Sequence, residues 1–208
     1  MLLTSQNISI KKLEPKLENT KCLKLISGQA TLLSAPSPKR RCIAFAFDKG
    51  IARFSSSFDD HYDEITLGFC GQNKSEWLRL PNASSLLLEA MTDCVFSFTY
   101  EEECPIHQDL MMQWLFDLHL VRHPVGSDVR LEYLFRLLVR RFGVRHRNSG
   151  YLLLPFNLAH SRIAELIGTT RSTVTRQITR LRQEKLILLD EENSNLMFSK
   201  NLIQIPIL

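Results

Sequence analysis

The side chains best suited to chemistry lie together near the C-terminus, in the stretch AHSRIAELIGTTRSTVTRQITRLRQEKLI, from Ala159 to Ile187. Placed on a helix over residues 170–186 at ~3.6 residues per turn, Val174, Ile178 and Leu181 share one face. Ser172, Arg176, Thr179 and Gln183 share the opposite face, with Thr175 and Arg180 on its flanks and Arg171 in the first turn. That face carries guanidinium groups, hydroxyls and an amide, and no aliphatic side chain. A guanidinium fork matches guanine O6 and N7, and hydroxyls reach bases or phosphates. The free N–H groups of a helix N-terminus suit a phosphate. Arg171, Ser172, Thr173, Thr175, Arg176, Thr179 and Arg180 are therefore the candidate contacts to DNA.

Such a face has to be aimed by its neighbours. The run Ser161 to Ile167 buries Ile163, Ala164 and Ile167, and Gly168 permits a tight turn before the second helix. Helix, short glycine-containing turn, helix is the layout of a helix-turn-helix. Downstream, LILLDEENSNLMF reads as a hairpin, a wing with a polar tip. The tip residues Asp190, Glu191 and Glu192 repel phosphates, so the tip is expected to point away from a DNA backbone. Upstream, a helix from Ser127 to Phe142 has a buried stripe of Leu131, Leu134, Phe135, Leu138 and Phe142. Asp128 in its first turn, Arg140 and Arg141 in its last and Gly143 after it suit the helix dipole and a C-terminal stop. RHRNSG follows as a loop and YLLLPF as a short strand.

From Pro105 to about Arg122 the pattern is helical and apolar nearly all round. Leu110, Trp114 and Val121 lie on one side, Met111, Leu115 and Leu118 next to them, and Met112, Phe116 and Leu120 on another. Such a helix must be covered on several faces. A sheet can cover one face and a second copy of the helix another. Leu110, Met111, Trp114, Leu118 and Val121 are the candidate pairing residues. The breaker HPVGS, His123 to Ser127, marks a domain boundary.

The first hundred residues read as short antiparallel strands separated by turn signals, the pattern of a sandwich or barrel. CIAFAF alternates Ile43, Phe45 and Phe47, and EITLGF alternates Ile65, Leu67 and Phe69. SLLLEAMTDCVFSFTY supplies two strands around Thr92-Asp93, and SSSFDDHYD a polar hairpin tip.

The chain has 208 residues and a net charge of +4 that is unevenly placed. Residues 1–124 hold 13 Lys and Arg against 15 Asp and Glu, whereas residues 125–208 hold 13 against 7. The basic excess lies wholly in the C-terminal part, as expected of a module that meets an anionic polymer. The five cysteines, Cys22, Cys42, Cys70, Cys94 and Cys104, stand singly, with no C-x-x-C pair to hold zinc or an iron–sulfur cluster. Reduced, mostly buried thiols and a cytoplasmic location are expected. No run reaches the ~18 apolar residues of a spanning helix, and no signal peptide is evident at the start.

Enzyme signals are missing. His119 and His123 stand four apart on one helical face, but Leu-Val-Arg between them supplies no glutamate base, so they read as a surface pair and no metal is expected. A cupin enzyme needs an H-x-H with downstream Glu and His, which the sequence lacks. There is no Ser-His-Asp elbow and no phosphate loop. No enzymatic activity is expected.

The words I-A-x-x-I-G-x-T-R-x-T-V-T-R, Ile163 to Arg176, resemble the winged helix-turn-helix of the cyclic-AMP receptor/FNR family of bacterial transcription regulators. Within that family the similarity is to the cyanobacterial global nitrogen regulator branch. It continues upstream through GSDVRLEYLFRLLVRRFGV and covers residues 125–190. More faintly, AFAFDKGIARF, DEITLGFCGQ and LLLEAMTDCVFSFTYEE resemble the family's β-roll.

The resemblance implies an α+β chain in three parts. Residues 1–104 are an antiparallel β-roll (a double-stranded β-helix), 105–124 a dimerisation helix, and 125–208 a winged helix-turn-helix. It further implies a homodimer on palindromic duplex DNA, with the helix 170–186 in the major groove and RNA polymerase as a partner. By position, the family's base-reading arginines fall on Arg171 and Arg176. Ser172 stands where the cyclic-AMP receptor has a glutamate, so the half-site should differ from that receptor's, towards the nitrogen regulator's GTA/TAC type. Ala159 replaces the usual Ser or Thr ahead of the first helix, which weakens that N-cap.

The family's cyclic-nucleotide clamp, a Gly-Glu pair followed by Arg-Ser/Thr-Ala, has no counterpart in GQNKSEWLRLPNASSLLLEA. Arg79 is the only arginine there, and its spacing does not match. The nitrogen regulator's 2-oxoglutarate clamp is likewise not traceable. No cofactor is expected, and the effector is left open. Arg122 is expected at the surface. The helix from Pro105 is about two turns shorter than in its relatives, or ~12 Å at ~1.5 Å per residue. Three readings therefore stand: an effector-responsive regulator, a regulator governed by its abundance or a protein partner, and a cupin-type enzyme with a helical appendage.

Overall fold

A computed structural model describes residues 20–57, 64–71, 75–80, 86–105, 109–146, 150–190, 192 and 194–203. Eight strands come first: β1 (Lys21–Leu25), β2 (Ala30–Leu33), β3 (Cys42–Lys49), β4 (Ile51–Ser57), β5 (Glu64–Gly71), β6 (Ser75–Arg79), β7 (Leu86–Ala90) and β8 (Cys94–Glu101). They form two four-stranded sheets, in the orders β1-β8-β3-β6 and β2-β7-β4-β5. Every pairing within them is antiparallel. Apart from the β4–β5 hairpin, successive strands fall in different sheets, and each sheet buries one face against the other. Side chains of a strand point alternately to its two faces. Phe45 and Phe47 of β3 therefore sit across from Phe98 and Phe96 of β8 on a single face. Their rings pack at 4.9–6.2 Å and fill the space between the sheets. The hairpin tip expected around Ser55–Asp63 lies largely outside the described residues.

Helix α1 (Leu110–Arg122) follows. The sequence places its start at Pro105, whereas the structure starts it at Leu110, after Asp109. The Asp109 side chain accepts the Met111 N–H at 3.1 Å and so fixes the first turn. Leu110, Trp114, Leu118 and Val121 are buried within the single chain. Trp114 packs on Phe69 of β5, and its indole N–H donates to the Phe69 carbonyl at 2.7 Å. Gly68 makes this approach possible, because a Cβ there would stand 2.4 Å from Trp114 Cγ.

Within the single chain most of the expected pairing residues are already covered. Leu110, Trp114, Leu118 and Val121 are spent against the chain's own sheet and helices, and Met111 is partly buried against the same core. The apolar residues that α1 leaves outside are Met112, Leu115, Phe116 and Leu120, with Met112 62% and Phe116 65% exposed.

The remaining elements are α2 (Ser127–Phe142), β9 (Val144–Arg145), β10 (Tyr151–Leu153), α3 (His160–Ile167), α4 (Arg171–Gln183), β11 (Ile187–Leu189), β12 (Leu196–Ser199) and the short α5 (Lys200–Ile203). The four strands form a small antiparallel sheet in the order β11-β12-β10-β9. Leu131, Leu134, Phe135 and Leu138 of α2 are fully buried. Phe142 is only partly buried; it stacks on Trp114 and meets Phe156 edge-on, which joins α2 to both halves of the chain. No described helix is long and apolar enough to cross a membrane.

The roll and the helix-turn-helix unit meet through polar groups as well. Arg53 of β4 is 2% exposed and ion-paired with Glu64 and Glu89, each at 2.6 Å. Glu165 of α3 accepts from the Thr66 N–H at 2.6 Å and from its hydroxyl at 3.0 Å. Arg162 of α3 reaches Glu64 and Glu165. Glu64 is thus shared between Arg53 and Arg162, and the hydrogen bond from Arg53 holds its carboxyl below the ordinary carboxylate range.

Candidate nucleic-acid interface

Helices α3 and α4 are set by local signals. Ala159 is the N-cap of α3 and offers no side-chain hydrogen bond. Gly168 ends α3 with φ +63°, the left-handed conformation in which its N–H can reach back to Ala164 and Glu165. Thr170 then caps α4, its hydroxyl oxygen accepting the Thr173 N–H at 3.3 Å.

The C-terminus of α3 is held from two other helices. Arg122 at the end of α1 donates to the Leu166 carbonyl at 2.8 Å and the Glu165 carbonyl at 3.0 Å. Arg130 of α2 donates to the Ile167 and Gly168 carbonyls at 2.9 and 3.2 Å. Two guanidinium groups thus satisfy carbonyls that the helix leaves unpaired and sit at the negative end of its dipole. The turn that aims α4 is fixed to α1 and α2 by these contacts. Sequence reasoning leaves Arg122 at the surface and passes over Arg130 and Glu165. A charged residue on a helix gives no periodic signal of its partner.

Helix α4 buries Val174, Ile178 and Leu181 and exposes Arg171, Ser172, Thr175, Arg176, Thr179, Arg180 and Gln183. The Arg171 and Arg176 side chains make no hydrogen bond or ion pair with any described residue. Arg180 reaches Asp128 and Glu184 only at 3.8 and 3.7 Å, with nearly half of its side chain exposed. Thr173 is half-buried, and its hydroxyl lies 2.9 Å from that of Thr170, so it serves the helix start. Thr175 and Thr179 donate their hydroxyl protons to the carbonyls one turn back, of Arg171 and Thr175, at 3.0 and 2.9 Å. The Thr175 hydroxyl also lies 2.8 Å from His160 Nδ1, so outward the two threonines present methyl groups rather than donors. The face can therefore offer two guanidinium forks unpaired among the described residues, the Gln183 amide, threonine methyls and the Ser172 hydroxyl, which lies 3.0 Å from that of Thr170.

The wing is tied inward at its first acidic residue. Asp190 is 7% exposed and lies 3.4 Å from His146 Nε2. Asn157 donates to the Ser194 carbonyl at 3.1 Å. Glu191 lies outside the described residues.

Residues 132–196 match the Crp-like helix-turn-helix domain.

The described residues have the fold of CRP/FNR-type transcription regulators. It is similar to FixK2 from Bradyrhizobium japonicum, with a TM-score of 0.62 and 14% identity over 88% of this chain and 94% of that one. It is similar to TTHB099, a CRP family transcriptional regulator from Thermus thermophilus, with a TM-score of 0.60 and 14% identity over 89% and 98%. TTHA1359, a CRP/FNR family regulator of the same organism, follows with 0.55 and 16% over 89% and 99%. The sequence matches no curated protein. These similarities show the fold and do not distinguish the nitrogen regulator branch.

Around the Crp-like domain an open cleft of about 880 Å³ separates it from the roll. Gly50, Glu89, Thr92 and Asp93 line one side, and Phe156, Asn157 and Asn195 the other.

Proposed function

We propose that the chain is a sequence-specific regulator of transcription that binds palindromic double-stranded DNA as a homodimer in the cytoplasm, with α4 in the major groove and RNA polymerase as its partner at promoters. The observation that carries this reading is the sidedness of α4. Its aliphatic residues are locked into the core, while Arg171 and Arg176, unpaired among the described residues, stand about one and a half turns apart on the exposed side. Such arginines fit guanine edges, and Arg180 and the helix N-terminus fit the phosphates beside them. Ser172 between them lacks the carboxylate that accepts from cytosine N4. This supports a half-site unlike the cyclic-AMP receptor's.

Pairing is assigned to the outer face of α1. Met112, Leu115, Phe116 and Leu120 recur at helical spacing on an exposed apolar stripe. A twofold axis along that stripe buries it in both copies and presents two α4 helices to successive major grooves.

A regulator without a small-molecule effector in the roll is the second reading. It is favoured by the Phe45, Phe47, Phe96 and Phe98 rings, which occupy the space between the two sheets.

Selection of binding sites from random duplex DNA tests the proposal. A palindromic consensus is expected, and Arg176→Ala should lose ~1–3 kcal/mol of discrimination at one base pair of each half-site. Recovery of no consensus, or Arg176→Ala binding with unchanged preference, would reject it.

A further inference from the structure

The described cysteines fall into three settings. Cys22 is exposed on β1. Cys70 and Cys94 lie in the main core, where Cys70 donates to the Ala52 carbonyl at 3.7 Å and Cys94 to those of Ile51 and Thr92 at 3.3 and 3.1 Å. Burial pushes both thiols up, Cys94 to about 11, so they stay protonated and inert.

Cys42 and Cys104 differ. With Ala44 and Trp77 they form a small buried cluster separate from the main core. In β3, Cys42 points away from Ile43 and Phe45 and sits across from Arg79 of β6 and Glu101 of β8. Cys104 follows Glu101 by three residues and packs into the same small cluster as Cys42. Arg79 and Asp109 are the charged groups beside them. The neighbouring Cys42 thiol lowers the pKa of Cys104 and Arg79 adds to this, while burial and Asp109 oppose it. Cys42 is held protonated by the same contact and by burial. One sulfur is thus poised as a nucleophile, and the second is in place to resolve it.

We propose that Cys42 and Cys104 are a redox-active pair that closes reversibly to an intramolecular disulfide. With a hydroperoxide as oxidant, the Cys104 thiolate attacks the O–O bond, which breaks. Cys104 becomes a sulfenic acid, and the leaving oxygen takes up a proton. The Cys42 sulfur then attacks the sulfenic sulfur. The S–S bond forms, the S–O bond breaks, and hydroxide leaves as water with the Cys42 proton. The two thiols lose two electrons and two protons together, and hydrogen peroxide becomes two waters. A cellular dithiol reverses the bond by thiol–disulfide exchange.

The bridge ties the start of β3 to the segment that feeds α1. Asp109, which caps α1, also accepts the Arg79 N–H at 3.4 Å, beside Cys42. Oxidation therefore fixes the base of the helix assigned to pairing.

The test uses the full-length reduced protein, treated with stoichiometric hydrogen peroxide, denatured, alkylated and mapped by mass spectrometry. Alkylatable thiols should fall from the five in the sequence to three, with a Cys42–Cys104 linked peptide, and dithiothreitol should restore all five. In Cys42→Ser the Cys104 sulfenic acid should persist and be trapped by dimedone. A Cys70–Cys94 link, an intermolecular Cys22 bond as the sole product, or Cys104 reaching the sulfinic acid in wild type without a bridge would each overturn the proposal. Because the mapping is done on wild type, it stands even where a variant fails to fold.

Discussion

The Glu165 carboxylate accepts the Thr66 backbone N–H at 2.6 Å, so the first helix of the helix-turn-helix is hydrogen-bonded directly to a strand of the roll. Thr66 is 2% exposed, and the edge of β5 would otherwise carry an unpaired N–H at this place. Glu165→Ala should cost ~1–3 kcal/mol in urea unfolding, because a buried donor loses its acceptor. Glu165→Gln keeps an acceptor oxygen and should cost less. Equal stability of Glu165→Ala and wild type would show that the contact does not hold the two units together.

The ion pairs behind that contact make the junction sensitive to acid. Glu64 has its carboxyl held below the ordinary 4.5, first by the hydrogen bond from Arg53. A lowered folded-state pKa adds stability that is complete above the unfolded value and fades as pH falls through the folded one. The melting temperature of wild type should therefore exceed that of Glu64→Gln by a constant margin above about pH 5, and the margin should shrink below about pH 4. A margin that grows on acidification would contradict the assignment.

Gly68 is where α1 comes closest to β5. Gly68→Ala puts a methyl group against Trp114 Cγ at 2.4 Å, so the helix has to move out. Overpacking of this kind costs ~1–3 kcal/mol. Denaturant unfolding followed by tryptophan emission should show the loss, with a changed native emission as the Trp114 indole shifts from the Phe69 carbonyl. An unaltered native spectrum would mean that α1 docks elsewhere.

The two faces of α1 can be separated by two substitutions. Phe116→Glu, at a position 65% exposed, should leave the folded protomer intact and abolish pairing in sedimentation velocity. Leu118→Ala, at 5% exposure, should cost ~2–5 kcal/mol of fold stability by leaving a cavity. Wild type sedimenting as a monomer, or Phe116→Glu as a dimer, would remove the pairing face from α1.

In the sequence, α4 has a clear division into two faces. Val174, Ile178 and Leu181 stand at helical spacing against an opposite side without aliphatic residues, so a single periodicity decides both which side is buried and which is bare. The same reasoning carries the order of the elements, because Gly168, Gly143 and the strand alternation of Ile43, Phe45 and Phe47 are local signals. It does not decide α1. That helix is apolar nearly all round, so no face stands out, and only the arrival of Phe69 and Gly68 beneath Trp114 determines that Met112 and Phe116 are left outside. The polar junction is likewise decided by tertiary structure alone. Glu165 and Thr66 are 99 residues apart, and Arg122 and Leu166 are 44 apart. A carboxylate or a guanidinium carries no mark in sequence of the one backbone group it will meet, because that partner exists only once the roll and the helices have packed.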